Sequence, residues 1–204
     1  MDSGPDVDLD DGMGPAHPRL LTVGHGTLSG EAFAELLVAA GVATLVDVRR
    51  MPSSRRNPQF NRPTLAATLE GHELSYRWDE RLGGRREPRD DSPHHALTDP
   101  QFRGYADHME SPEFRAALDE LLASGREGPV AIMCAEGDWS RCHRRMIGDH
   151  VALVRGLEVR HLRHDGSRED HRLNAGARLD ELGERVVYDA GADQPLPGTN
   201  PTAG

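Results

Sequence analysis

Short apolar segments alternate with amphipathic helical segments along the middle of this chain, and this alternation restricts the possible folds more than any other feature. The segments with the composition of buried strands are RLLTVG (19–24), VATLVDV (42–48), LSYRW (74–78), PVAIMCA (129–135) and EVRHL (158–162). Short runs that are apolar on both faces are typical of strands that lie between two layers of helices.

The segments that predict helices are SGEAFAELLVAAG (29–41), RPTLAATLEGH (62–72), SPEFRAALDELLASG (111–125) and SRCHRRMIGDHVALVRG (140–156). Serine caps, prolines in the first turn and terminal glycines mark their ends. Strands that alternate with helices favour a parallel sheet covered on both faces. We therefore predict an α/β fold, a three-layer Rossmann-like domain with a mostly parallel sheet. The pattern does not give the strand order, and it leaves residues 79–99 and FRGYA (102–106) as polar loops.

The two ends of the chain differ from this pattern. Residues 1–17 contain five aspartates with several glycines and prolines and almost nothing to bury, so we expect a disordered acidic arm. Residues 189–204 are rich in proline, glycine and alanine, and we expect a disordered tail there. The remaining residues, 18–188, are long enough for a single α/β domain with its own core.

The net charge of −10 argues against a protein that coats nucleic acid through a broad basic face. A local basic cleft is still compatible with it, because arginines cluster within 49–62 and again within 81–89. Two cysteines and no secretion-signal pattern in the first residues predict a reducing, cytoplasmic location. We expect no contact with a membrane, since no apolar run approaches the roughly 20 residues of a membrane span.

Reactive side chains follow several predicted strands at their carboxyl ends, where ligands bind in sheets of this kind. They are His25 after the first strand, Asp47 and Arg49 after the second, and Cys134, Glu136, Arg141 and His143 after the fourth. Segments that follow different strands reach one edge of the sheet. We therefore predict one cleft there, with His25, Asp47, Cys134, Glu136 and His143 as catalytic candidates and Arg141 as an anion clamp.

Cys134 has two interpretations from the sequence. At a strand end before a helix it is a candidate thiolate nucleophile, because backbone amides and the helix dipole lower the pKa of a thiol there. A free cysteine at the end of a core strand is equally well explained as a small buried apolar residue. Cys142 is expected in the first turn of the next helix. The two cysteines are eight positions apart, without the paired spacing of a zinc knuckle, so we expect no metal site.

Cys134 and Arg141 also resemble the cysteine-loop-arginine cradle of protein phosphatases and rhodaneses. Here six residues separate the two, which is one more than in that cradle, and Glu136 and Asp138 among them would repel an incoming phosphate. Rhodanese-like sulfur transfer through Cys134 is therefore kept only as an alternative. Nothing in the sequence identifies a cofactor.

Several motifs, in this order, resemble the family of domains of unknown function numbered 488. They are TVGHGT, LVDVRRMPSSRRNPQFN, LGGRR, FRGYADHM, VAIMCAE and RCHRR, and the resemblance covers about residues 20–165. It implies a Rossmann-like α/β domain and the placement of the site, and no particular reaction. Members usually have a serine at the position of Gly26 in this chain. The neighbouring Thr27 offers a hydroxyl in place of that serine. The shared positions are His25, Asp47, Arg49, Arg55, Arg56, Asn57, Gln59, Phe60, Asn61, Gly83, Gly84, Arg85, Arg103, Gly104, Tyr105, Cys134, Glu136, Cys142, His143 and Arg144.

Two of these motifs, SRRNPQFN (54–61) and FRGYA (102–106), mix guanidinium, amide and aromatic groups. Such sets stack on a nucleobase and neutralise phosphate, although the aromatic residues also serve to anchor long loops. The substrate-binding candidates are Arg49, Arg55, Arg56, Asn57, Gln59, Phe60, Asn61, Arg85, Arg103, Tyr105, Arg141 and Arg144.

The leading hypothesis is an intracellular enzyme acting on a small anionic or nucleotide-like ligand, including a base within nucleic acid. In it, His25 or Glu136 serves as acid or base and Cys134 as nucleophile or cavity wall. The alternatives are a non-catalytic module that binds nucleotides or nucleic acid, and sulfur transfer through Cys134.

Overall fold

The computed structural model describes residues 20–126 and 128–189. The strands within them are β1 (Leu20–Gly24), β2 (Thr44–Asp47), β3 (Ser75–Trp78), β4 (Val130–Cys134), β5 (Val159–Leu162), β6 (Arg168–Asp170), β7 (Ala177–Leu179) and β8 (Val186–Tyr188). The helices are α1 (Gly30–Ala39), α2 (Arg62–Gly71), α3 (Pro100–Met109), α4 (Pro112–Ser124) and α5 (Arg144–Arg155). The predicted acidic arm and all but the first residue of the predicted tail lie outside the described residues.

A six-stranded sheet in the order β3-β2-β4-β1-β5-β6 forms the centre of the described part. Neighbouring strands from β3 to β5 pair in parallel, and β6 pairs antiparallel with β5. The predicted mostly parallel sheet is therefore confirmed. β7 and β8 form a separate antiparallel pair. The sequence does not predict β6, β7 or β8, because each has only three residues and shows too little of a strand pattern.

Helices cover both faces of the sheet. On β4, Ala131 and Met133 pack with side chains of α1 and α2, whereas Val130 and Ile132 pack with those of α3, α4 and α5. Successive residues of a strand point to opposite faces, so each helical layer has its own half of the core. The three-layer α/β arrangement follows. No helix in the described ranges is long and apolar enough to span a bilayer.

The segment after the long polar stretch is helical, which corrects the loop expected for FRGYA. Asp99 caps α3 by accepting a hydrogen bond from the Gln101 backbone, and Pro100 is the first residue of the helix. Its buried side chains include Tyr105, Ala106 and Met109. Gly104 and several polar residues interrupt the apolar face of this helix, so its helical periodicity is weak in the sequence. The capping residue and the proline in the first turn are the features that indicate a helix.

The strand order determines where a ligand can bind. From β1 the chain moves outward through β2 to β3, then returns to β4 between β1 and β2, and continues to β5 on the other side. The connections after β1, β2 and β4 therefore meet at the carboxyl edge, at the point where the direction of winding reverses. Crevices of this kind are the usual ligand sites of open α/β sheets.

Candidate functional site

A cavity of about 600 Å³ lies at this edge of the sheet. That volume is in the range of sites for small-molecule ligands. The predicted site residues that line it are His25, Arg49, Asn57, Arg85, Tyr105, Cys134, Glu136, Arg141 and His143. The structure thus brings together residues that are more than a hundred positions apart in the sequence.

Cys134, Cys142 and His143 form a compact group at the cavity. The Sγ atoms of Cys134 and Cys142 lie 3.8 Å and 3.6 Å from Nδ1 of His143. Nε2 of His143 lies 3.1 Å from the carbonyl oxygen of Val48. A carbonyl oxygen only accepts hydrogen bonds, so Nε2 carries the proton of the neutral ring. Nδ1 is then the unprotonated nitrogen, and it faces both sulfurs.

The connection between β4 and α5 turns Cys142 toward Cys134. Its structure differs from the prediction, in which the helix begins near Ser140. Asp138 caps a separate 3₁₀ turn (Trp139–Arg141) by accepting a hydrogen bond from the Ser140 backbone. Cys142 then has extended backbone, φ −124° and ψ 151°, and α5 begins only at Arg144. The expectation that Cys142 lies in the first turn of the helix is therefore wrong.

Arg144 supports this connection from inside the protein. Its side chain is buried, and its guanidinium donates to the carbonyl oxygen of Glu136, to Oγ1 of Thr22 at 3.3 Å and to Sγ of Cys142 at 3.4 Å. It does not line the cavity. Although we predicted Arg144 as a substrate-binding residue, the structure places it as a brace between β1 and the connection after β4.

The two thiols differ in their affinity for a proton. Burial opposes ionisation of Cys142, yet its pKa lies well below the usual range because the Cys134 thiol donates to its sulfur and the Arg144 guanidinium is nearby. The pKa of Cys134 is raised well above the usual range by that same hydrogen bond and by burial. Of the two sulfurs, that of Cys142 is therefore the one that holds a negative charge more readily.

His25 forms another part of the cavity wall as a neutral ring. It stacks on Phe60 with the ring centroids 4.0 Å apart, and Nδ1 donates to the carbonyl oxygen of Gly26 at 3.0 Å. Burial lowers the pKa of His25 to about 4, and the neighbouring Arg49 contributes to the shift. Its Nε2 is the acceptor nitrogen and lies 3.4 Å from Nη1 of Arg49.

Asp47 lies behind Arg49 and has no exposed surface. Its carboxylate accepts from Nε and Nη2 of Arg49 at 2.9 Å and 2.6 Å, and from the hydroxyl of Tyr76 at 2.8 Å. Nη2 also donates to the carbonyl oxygen of Phe60 at 2.8 Å. Asp47, predicted as a catalytic candidate, is thus placed to position Arg49, while Nη1 of Arg49 remains directed at His25.

Further arginines give the cavity a basic wall. Arg50, Arg85 and Arg141 line it together with Arg49, and the carboxylates of Asp99 and Glu136 lie at the same wall. Nη1 of Arg50 donates to the carbonyl oxygen of Arg85 at 2.6 Å, which joins the loop after β2 to the loop around Gly84. The protein as a whole is acidic, so this wall is a local positive region on a chain with net charge −10.

Two glycines permit the close approach of these loops. A Cβ at Gly84 would lie 2.9 Å from Nδ1 of His143, and a Cβ at Gly24 would lie 1.9 Å from the carbonyl oxygen of Glu136. Any larger residue at position 84 would push against the ring that faces the two sulfurs. Gly24 allows β1 to pass directly beneath the connection after β4.

SRRNPQFN contributes less to the cavity than its composition indicates. Asn57 lines the cavity, whereas Arg55 and Arg56 are exposed and do not. The Gln59 side chain donates to the carbonyl oxygen of Leu28, and Oδ1 of Asn61 accepts from the Ser54 backbone. These two amides hold the loop in place.

α3 contributes one of its two predicted residues to the cavity. Tyr105 lines it and donates its hydroxyl to the carbonyl oxygen of Leu82 at 2.8 Å. Arg103 does not reach the wall.

Some cavity residues are absent from the predicted site. Cys142, Arg50, Gln101 and Phe102 line the cavity. Cys142 carried a usable signal, its position next to His143 in RCHRR, but the sequence left open whether it packs against the sheet or lies close to the ligand. Phe102 belongs to the arginine-aromatic motif FRGYA. For Gln101 the sequence gives no signal.

Comparison with protein families agrees with the resemblance found in the sequence. The profile described as Domain of unknown function DUF488 matches residues 29–151, which is more than half of the 204 residues. The matched range runs from the start of α1 into α5 and includes both cysteines and His143. Searches of curated proteins and of solved structures gave no match. The chain belongs to the DUF488 family of domains of unknown function.

Proposed function

We propose that this protein is an enzyme that binds a small anionic, nucleotide-sized substrate in the cavity and acts on it at the group formed by Cys134, Cys142 and His143. One observation carries the proposal. A basic wall that includes Arg49 and Arg141 encloses the same cavity of about 600 Å³ that has this reactive group at its surface.

The charges support an anion rather than a neutral ligand. A generic polyanion is repelled by a protein of net charge −10, so binding has to come from the local arginines. Arg49 is fixed by its buried carboxylate partner and needs little ordering when a ligand arrives. A preorganised guanidinium loses less entropy on binding than a mobile one.

The neutral imidazoles support chemistry rather than binding alone. Each ring directs an unprotonated nitrogen inward, Nε2 of His25 toward Arg49 and Nδ1 of His143 toward the sulfurs. Nε2 of His25 can accept a proton from a substrate or from a bound water. Glu136 lies at the exposed rim, where it is able to exchange protons with solvent.

Calorimetric titration with AMP, inorganic phosphate and a short single strand of DNA tests this proposal. We expect AMP to bind at low ionic strength, and Arg85→Ala combined with Arg141→Ala to weaken it by roughly 1–3 kcal/mol for each lost contact. The pair Arg55→Ala and Arg56→Ala is the matched control, since these exposed side chains lie outside the cavity. AMP binding equal in both double variants and in the wild type contradicts the proposal.

Sulfur transfer through Cys134 is the second candidate. It requires a sulfur that a substrate can reach, and Cys134 is half-buried and lines the cavity, whereas Cys142 is almost fully buried. Thiosulfate, an anion of suitable size, serves as an additional titrant in the same experiment.

A further inference from the structure

We propose that Cys134, Cys142 and His143 bind a zinc ion, with the fourth coordination position open to the cavity. The ligand atoms of these three residues all lie within 4.8 Å of one another. The sequence spacing predicts no metal site, and the cluster arises only because the connection after β4 brings Cys142 back to the strand end. The inference names a cofactor for the cavity, and its catalytic meaning rests on the proposed function.

The distances within the group match a tetrahedral zinc site. With Zn–S bonds of about 2.3 Å and Zn–N bonds of about 2.0 Å, a sulfur and a nitrogen ligand of a tetrahedron lie about 3.5 Å apart. The observed separations from Nδ1 of His143 are 3.8 Å to Cys134 and 3.6 Å to Cys142. An ion between the three atoms thus requires little movement of the side chains.

The surroundings of His143 hold the ring in the orientation that a metal ligand needs. Nε2 donates to the carbonyl oxygen of Val48, and this leaves the lone pair of Nδ1 free for a metal. Gly84 packs directly against the ring, and Tyr105 contacts its edge with the centroids 5.1 Å apart. Metal-binding histidines characteristically donate their second nitrogen to a carbonyl or carboxylate oxygen in this way.

The donor set and the local charge select the ion and its fourth ligand. Two sulfurs and one imidazole nitrogen suit zinc and exclude the hard cations Mg²⁺ and Ca²⁺, which prefer oxygen. Two thiolates neutralise Zn²⁺, and the buried guanidinium of Arg144 donates to Cys142, which adds one positive charge beside the site. This excess favours an anion at the fourth position, either hydroxide or an oxygen of the substrate.

The open position faces the cavity, because Cys134, Cys142 and His143 all belong to its lining. Three protein ligands with one position left open are typical of catalytic zinc, whereas structural zinc has four protein ligands. Zinc in such a site lowers the pKa of a bound water and polarises a substrate oxygen. Basic side chains such as Arg49 lie around that position.

Cobalt(II) titration of the untagged, full-length protein under reducing conditions tests the inference. The chain has two cysteines, so a thiolate-to-cobalt charge-transfer band reports directly on Cys134 and Cys142. We expect one equivalent of Co²⁺ to give this band with tetrahedral d–d absorption, and one equivalent of Zn²⁺ to displace it. Cys134→Ser should weaken binding by more than about 100-fold. His95→Gln, which changes an exposed histidine, is the matched control and should bind as the wild type does.

The absence of a thiolate-to-cobalt band in the folded wild-type protein would overturn the inference, as would equal affinity in Cys134→Ser. If circular dichroism shows that Cys134→Ser does not fold, the cobalt spectrum of the wild-type protein and the stoichiometry of cobalt binding decide the inference alone. AMP titration of the chelator-treated protein separates this inference from the proposed function. AMP binding without cobalt binding refutes only the metal site, and cobalt binding without AMP binding refutes only the anionic substrate.

Discussion

Asp47 and Arg49 show how one buried pair fixes an arginine in the cavity wall. Two parallel hydrogen bonds join the guanidinium to the carboxylate, which has no exposed surface, and Tyr76 donates a third to the same carboxylate. Burial and the nearby carboxylate raise the pKa of Tyr76, so its hydroxyl remains a donor. Asp47 therefore lies behind Arg49 and does not line the cavity itself.

We expect Asp47→Asn to lower the free energy of unfolding by about 3–5 kcal/mol, because it leaves the Arg49 guanidinium buried without a countercharge. Urea unfolding measures this loss. Asp91→Asn is the control. It changes an exposed aspartate, 88% accessible, that pairs with Arg89 at 3.5 Å, and it should change the stability by less than about 0.5 kcal/mol. A loss below about 1 kcal/mol for Asp47→Asn, or unchanged AMP affinity, would show that Asp47 does not position Arg49.

At the scale of elements, the connection from β4 to α5 separates two arginines that look alike in the sequence. Arg141 and Arg144 both belong to SRCHRR. Arg141 is exposed at the end of the 3₁₀ turn and lines the cavity, whereas Arg144 is buried under the connection. The sequence predicts Arg141 as the anion clamp but does not predict that Arg144 is buried, because its burial depends on contacts with Thr22 and Glu136 that form only in the fold.

This difference leads to opposite expectations for two matched variants. Arg144→Met should lower the free energy of unfolding by about 2–4 kcal/mol, because buried acceptors on β1 and the connection lose their donor. Arg141→Met should leave the stability within about 0.5 kcal/mol and weaken AMP binding instead. Thermal or urea unfolding together with AMP calorimetry measures both effects. If Arg144→Met unfolds with the same free energy as the wild type, Arg144 does not stabilise the contact between β1 and the connection after β4.

The same elements show which parts of the structure the sequence can predict. β1, β4 and α4 follow from their apolar runs, caps and prolines, and the α/β fold follows from their alternation. α3 was missed because Gly104 and polar side chains interrupt its apolar face. The start of α5 was misplaced because Asp138 caps a separate 3₁₀ turn, and local patterns cannot distinguish that turn from a helix start.

For the whole molecule, the strand order converts separate motifs into one site. Because β4 lies between β1 and β2, His25, Arg49 and Cys134 meet at one edge of the sheet. The general rule that ligands bind at the carboxyl ends of strands was enough to predict this convergence. It was not enough to separate residues that face the cavity from residues such as Asp47 that lie behind it. That distinction depends on side-chain packing across the sheet edge.

An anionic ligand bound in this cavity would cover Cys134, so alkylation of Cys134 reports whether the ligand binds there. In metal-free, reduced protein, peptide mass spectrometry follows the reaction of iodoacetamide with each cysteine separately. Cys134 should react faster than Cys142, because Cys134 is half-buried at the cavity surface whereas Cys142, although it also lines the cavity, is only 4% exposed. AMP should slow the labelling of Cys134 in a saturable way, and the protection should be lost in the Arg85→Ala, Arg141→Ala variant. If AMP does not affect the labelling of Cys134, or if Cys134 is not labelled until the protein unfolds, no anionic ligand binds over Cys134 in this cavity.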